Sequence, residues 1–438
     1  MYNYRETEDL LGKRVYFPNV SEEAHFAPQS QTIHLRRITA ESFNDALRRQ
    51  DTPKLRIQFG TMLHELTHWA DMVGTLWGRE YIRSVYGALR LMPNISTTGT
   101  ESEFYKFIDL HDATRRMMMP KYFRVVNKDA KVSDPRRPWR IQLSAGREYD
   151  PSGRLNVGRP ILFTRFDDHD SGDQVARQPI VSGALLEVNA IWSEIATNYE
   201  TLAGMTGIDK IIEEKEFHRE QNHQLYHPDL TLYTAPAHLL AMTAKTKEVA
   251  AAYHLASRVA HLAMNLREDD FNRLEPPPSW EAWTGLFEGF KKSRDRGFAY
   301  GVICAWAEPW EEGQPSIAWL DEALRRAGLD SSTMIYAAAL RQMKSEPLNK
   351  NNDALARAEN YILSLGAELL VPRGYASELT PQRLAKERIV APPMFDPDGN
   401  LIDLSSGLFD RALFSPEEAH DREAALFTWT QNFLDACR

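Results

Sequence analysis

The stretch from Leu55 to Trp77, LRIQFGTMLHELTHWADMVGTLW, decides the reading of this chain. Its apolar residues Leu55, Phe59, Met62, Leu66, Trp69, Val73 and Trp77 recur at spacings of three and four, which predicts an amphipathic helix. Residues four apart lie one turn above each other, so His64 and His68 can aim two imidazoles at one point. Glu65 projects beside them, where it can reach a metal-bound water in place of the metal. The histidines lie opposite the apolar stripe, with Gly60, Thr61, Thr67, Asp71, Gly74 and Thr75. A solvated helix face would carry Lys and Glu there, whereas small and hydroxylic residues leave room for a cleft or a neighbouring backbone.

A catalytic zinc takes three protein ligands and keeps one position open, so a further ligand must come from elsewhere. The longer HExxHxxGxxH pattern is excluded, because Asp71 stands where its Gly would be and Gly74 where its last His would be. Glu187 is the leading candidate. It lies in Ser182-Gly183-Ala184-Leu185-Leu186-Glu187, within a helical pattern over Gly183 to Leu202, and shares a face with the small residues Gly183 and Ala190. Glu194 and the loop residue His169 are the alternatives. Glu194 is two turns further on, roughly 10 Å from Glu187 along the axis, so the two cannot both ligate one metal.

These two helices resemble those of the gluzincin group of zinc metallopeptidases, the thermolysin-like enzymes. His64-Glu65-Leu66-Thr67-His68 is similar to their motif throughout, and Ser182-Gly183-Ala184-x-x-Glu187 resembles the start of their glutamate helix. The resemblance implies that His64, His68 and Glu187 bind Zn2+ and that Glu65 activates water. It covers about forty residues of 438. Some 120 residues separate the two helices here, far more than in thermolysin. The family often has an Asp four residues after the glutamate ligand, where this chain has Ile191. Asp71 is the nearest acidic candidate for orienting a histidine, with a helix-surface salt bridge as its other reading. For the oxyanion-stabilising group, His223 and Tyr226 stand out from a cluster with His218, His227 and Tyr233 at a helix end.

Elsewhere, a strand is expected at Thr32 to Ile38, then a helix opening at Thr39 or Glu41. A helix over Glu101 to Met118 precedes two β-rich runs, Arg140 to Tyr149 and Leu155 to Phe166. Asp150-Pro151-Ser152-Gly153 joins these into a hairpin. Asp167 to Asp173 reads as a polar loop. Beyond Gly207 the pattern is helical, with long runs at Pro236 to Leu266 and Trp280 to Trp306, and a turn at Asp396-Pro397-Asp398-Gly399. His238, His254 and His261 are spaced too widely to chelate and read as packing residues. The tryptophans at 280, 283, 306 and 310 read as core.

The expected architecture is α+β and predominantly helical. It comprises a zincin-like metallopeptidase core over residues 1–235, with a β-hairpin insertion at about 93–178, and a helical accessory region over 236–438. A hydrophobic share of 43% with 26% charged residues fits a globular protein, and a net charge of −9 argues against a general nucleic-acid coat. Two cysteines, Cys304 and Cys437, fit a reducing compartment, and Met1 to Glu6 carry no secretory start. No apolar run is long enough to span a membrane, so the expected location is cytoplasmic. The expected function is hydrolysis of peptide bonds in a narrow range of protein or peptide substrates, with the Thr32 to Ile38 strand pairing an extended substrate at a sheet edge. The alternative is a catalytically silent zincin-like binding module that works through its helical C-terminal region, which would also suit a regulatory protein partner.

Overall fold

The computed structural model describes residues 23–92, 101–118, 123–127, 129–130, 138–149, 153–404 and 409–436. The strands are β1 (Ala24–Ala27), β2 (Thr32–Leu35), β3 (Val125–Val126), β4 (Trp139–Tyr149), β5 (Leu155–Asp168), β6 (Gln174–Pro179), β7 (Met394–Phe395) and β8 (Leu401–Ile402). The first helices are α1 (Ala40–Arg49), α2 (Thr52–Gly74), α3 (Leu76–Leu91), α4 (Glu101–Met118), α5 (Ser182–Ala203), α6 (Gly207–Leu225), α7 (Thr231–Ala244) and α8 (Val249–Ala263). After them come α9 (Glu268–Arg273), α10 (Thr284–Lys292), α11 (Arg296–Trp306), α12 (Ser316–Arg326), α13 (Ser332–Ser345), α14 (Ala354–Tyr375), α15 (Pro381–Glu387) and α16 (Pro416–Ala436). The molecule is thus α+β and mostly helical.

Helix α2 starts where Asp51 accepts from the Lys54 amide and Pro53 fits the first turn. It ends at Gly74, three residues short of Trp77. There the Thr75 hydroxyl accepts from the Gly78 amide and opens α3, so the apolar stripe continues across a corner between two helices. Met62, Leu66, Trp69 and Val73 are wholly buried. Each contributes about 1.5–3 kcal/mol by leaving water, which anchors the helix that carries the histidines.

One sheet has the order β3-β6-β5-β4, all antiparallel, and its long β4–β5 pair is the expected hairpin. Of the linking residues, Asp150, Pro151 and Ser152 lie outside the described residues, as do Met1 to Glu6 and Cys437. The other sheet has the order β1-β2-β7-β8 and overturns one expectation. The strand expected at Thr32 to Ile38 is shorter and is flanked on both sides, antiparallel by β1 and parallel by β7. Its backbone groups are taken by these neighbours, so β2 offers no edge to a substrate. The turn after β7 forms as expected, with the Gly399 amide donating to the Asp396 carbonyl at 3.0 Å and Gly399 at φ +81°.

The division drawn after residue 235 falls inside α7, with Pro236 in the body of that helix. A continuous hydrophobic cluster runs from Ala24 to Leu426. Helices from the C-terminal half therefore support α2 and α5 directly. α7 and α8 pack on α5, and α14 packs on α2 so closely that a Cβ on Gly366 would lie 1.8 Å from the Val73 carbonyl oxygen.

Candidate metal centre

Side-chain partners show that α2 and α5 run antiparallel. Going up α2 through Arg56, His64 and His68, their partners descend α5 as Asn198, Glu194 and Glu187, and Asp71 meets Asn189 near that same end. Small residues permit this approach. A Cβ on Gly60 would sit 3.3 Å from Glu194 Cγ, and one on Gly183 would meet Met118 Sδ at 2.3 Å, so Gly183 seats the start of α5 against α4. The close approach expected from the small residues around the histidines is present.

Glu187 is 2% exposed and presents one carboxylate oxygen to each histidine. Oε2 lies 3.4 Å from His64 Nε2, and Oε1 lies 3.5 Å from His68 Nε2. One ligand atom from each of the three residues can be chosen so that all lie within 4.8 Å of one another. The two rings stand nearly perpendicular, at 83°, with centroids 4.9 Å apart. Glu187 Oε2 is buried without hydrogen-bond geometry to any partner. A buried carboxylate whose two oxygens each face an imidazole nitrogen, one of them without a hydrogen bond, fits a cation, and two His with one Glu is a donor set of catalytic zinc. Bonds of about 2.0–2.1 Å in a tetrahedron place neighbouring ligand atoms about 3.3 Å apart, close to both separations.

Burial pushes the Glu187 carboxyl up, but the charge of His68 and the close approach of both imidazoles outweigh it and hold the group down to about 2. Burial likewise disfavours charge on His64, yet Glu187 and Glu194 beside its ring and the charge of Glu65 raise its pKa well above the ordinary value. Glu65 is 8% exposed, one residue from His64 on the same turn.

Glu194 does not compete with Glu187 for the same place. Its Oε2 is 3.4 Å from His64 Nδ1, so the two carboxylates address opposite nitrogens of one ring. A carboxylate at the second nitrogen fixes ring orientation and tautomer. The seven-residue step from Glu187 to Glu194 is a spacing from which this role was readable.

Asp71 does not orient either histidine, nor is it a surface salt bridge. It is wholly buried, pairs with Arg373 of α14 at 2.5 Å and accepts from Asn189 Nδ2 at 2.8 Å. Ser257 of α8 donates to Asn189 Oδ1 at 2.9 Å and accepts from the Ser377 hydroxyl at 2.7 Å. This network ties α2, α5, α8 and α14 together one turn beneath the ligands.

Among the described residues no contact joins His223 or Tyr226 to the three converging residues. Tyr226 packs its ring on Trp139 and His238, and His223 is exposed beside His227. Tyr226, just past the end of α6, lies against Trp139 at the start of β4, which the sequence pattern does not reveal. His169 pairs with Asp170 in its loop. His238, His254 and His261 serve packing and local hydrogen bonds, with Leu225 O, Arg258 and Tyr336 respectively. Cys304 is a buried free thiol. No described helix is long and apolar enough to cross a membrane.

Comparison of the chain with protein-family models, with curated proteins and with solved structures finds no match.

Proposed function

We propose that the chain is a zinc-dependent metallopeptidase with a zincin-like core built on α2 and α5, its metal held by His64, His68 and Glu187. The observation that carries this reading is the convergence of two imidazole nitrogens on the two oxygens of one buried carboxylate. A zinc ion held by these three residues would supply an acidified water and a Lewis-acid contact for a carbonyl oxygen. Glu65 takes the proton and delivers it to the leaving amine. Glu194 holds the His64 ring in the orientation that points Nε2 inward. The substrates are proteins or peptides of narrow range, and a reducing, cytoplasmic setting suits the free thiol of Cys304.

Turnover of a peptide library separates this from a silent binding module. The wild-type chain cleaves and a chelator stops it. His64→Ala loses both metal and cleavage, while Glu65→Gln keeps the metal and loses cleavage. Undiminished cleavage by Glu65→Gln would sink the mechanism, and a zinc-loaded wild type that cleaves nothing in the library leaves the binding-module reading in its place.

A further inference from the structure

Strands β1, β2 and β7 line up a row of rings on one face of their sheet. His25 stands opposite His34 in the β1–β2 register, and Phe395 stands opposite it in the β2–β7 register. The His34 ring is flanked by both, 4.9 Å from His25 at 10° and 5.0 Å from Phe395 at 15°. Ile33 and Leu35 alternate with His34 along β2 and enter the hydrophobic core. Helix α16 covers the ring row. Its His420 ring lies 5.0 Å from His34 and 6.1 Å from Phe395, and Ala419, Glu423 and Leu426 are buried on the same helix face.

A hydrogen-bond chain ties the helix to the same rings. The Ser30 hydroxyl donates to Glu423 Oε2 at 2.6 Å, Thr32 Oγ1 lies 2.6 Å from Ser30 Oγ, and His34 Nε2 lies 2.9 Å from Thr32 Oγ1. Because Ser30 gives its proton to the carboxylate, it accepts from Thr32, Thr32 accepts from His34, and Nε2 is the donor nitrogen of that ring. His34 is 2% exposed. Burial, then the neighbouring imidazoles His25 and His420, then Arg36, hold it well below its ordinary pKa. Burial, Arg36 and His420 push His25 down to about 3. The carboxylate facing the row is Glu423, which reaches His34 through two hydroxyls. Asp396, next to Phe395, spends its carboxylate on the amides of Ala40, Asp398 and Asn400.

We propose that this row is a pH-operated latch: α16 is held on the sheet while the imidazoles are neutral, and leaves it when they take up protons, before the rest of the fold opens. On release each histidine recovers its ordinary pKa of about 6.5. Docking is therefore favoured in full above that value and weakens as pH falls. At about pH 5 one recovered histidine shifts the equilibrium toward release about thirtyfold, and His25 with His34 together about a thousandfold. None of these groups lies on α2 or α5, so the latch is independent of the metal reading.

Hydrogen exchange of the full-length chain tests it, followed by mass spectrometry at about pH 7.5 and about pH 5 and corrected for the intrinsic rate at each pH. Relative to peptides from α2, peptides from α16 lose protection about thirtyfold or more at the lower pH. With His25→Phe and His34→Gln combined, α16 keeps its protection there, the glutamine retaining a donor toward Thr32. If that chain folds poorly, His25→Phe alone, at a half-buried position on β1, carries the test by halving the shift on a logarithmic scale. Protection of α16 that does not change with pH, loss in α16 and α2 in step, or a shift undiminished in these variants overturns the proposal.

Discussion

Replacing Glu194 by Gln removes the charge that faces His64 Nδ1 at 3.4 Å and leaves the three ligand side chains intact. Loss of a carboxylate behind a ligating histidine costs 10–100-fold in metal affinity as an order of magnitude, or about 1.4–2.7 kcal/mol. Glu194 is 38% exposed on its side chain, so solvent screening puts the expected loss at the lower end, about tenfold. Competition for zinc against a chromophoric chelator near neutral pH reads this directly. Glu220→Gln, an exposed carboxylate on α6, removes an equal charge without touching His64 and leaves affinity unchanged. Gly60→Ala, whose new methyl would press on Glu194 Cγ at 3.3 Å, reproduces part of the loss. If Glu194→Gln binds zinc as tightly as the wild type, Glu194 does not orient His64 and the reasoning fails.

Three further outcomes are expected. Arg373→Met leaves Asp71 buried and unpaired and costs about 3–5 kcal/mol in urea denaturation, whereas Asp71→Leu with Arg373→Met recovers most of it; equal losses for the single and double variants would contradict the pairing. Gly366→Ala pushes α14 off the Val73 carbonyl and lowers stability by about 3 kcal/mol or more, and a neutral result would mean the two helices do not meet there. Burial lowers the His238 pKa to about 4, so on acidification the unfolded chain takes up the proton first. The His238 contribution to stability is therefore complete well above pH 6.5 and falls toward pH 4, losing about 2 kcal/mol by pH 5. His254, also lowered to about 4 by burial and Arg258, adds to the same fall. Denaturation midpoints measured at several pH values check this, and a midpoint that does not fall with pH contradicts it.

The two helices that carry His64, His68 and Glu187 were legible because their information is local. Helical spacing placed His64 and His68 together, and small residues on that face marked where α5 would approach. The β4–β5 hairpin was legible for the same reason, through alternation and turn chemistry. What escaped is long-range. The parallel pairing of β2 with β7 joins strands of four and two residues from opposite ends of the chain, too short to announce a partner. Arg373, 302 residues from Asp71, is an unremarkable arginine in the sequence, and only the fold shows that Asp71 faces inward. The same long-range packing lets α8 and α14 supply the polar groups that lock α2 to α5. His223 and Tyr226 were chosen for residue type and position at a helix end, and that carries no information about which way α6 turns.

The most direct test is the zinc content of the purified chain and its His68→Ala and Glu187→Gln variants, measured after removal of loosely bound metal. The account predicts one zinc per wild-type chain and none retained by either variant at matched folding. A wild type without zinc, or variants that keep a full complement, would contradict it.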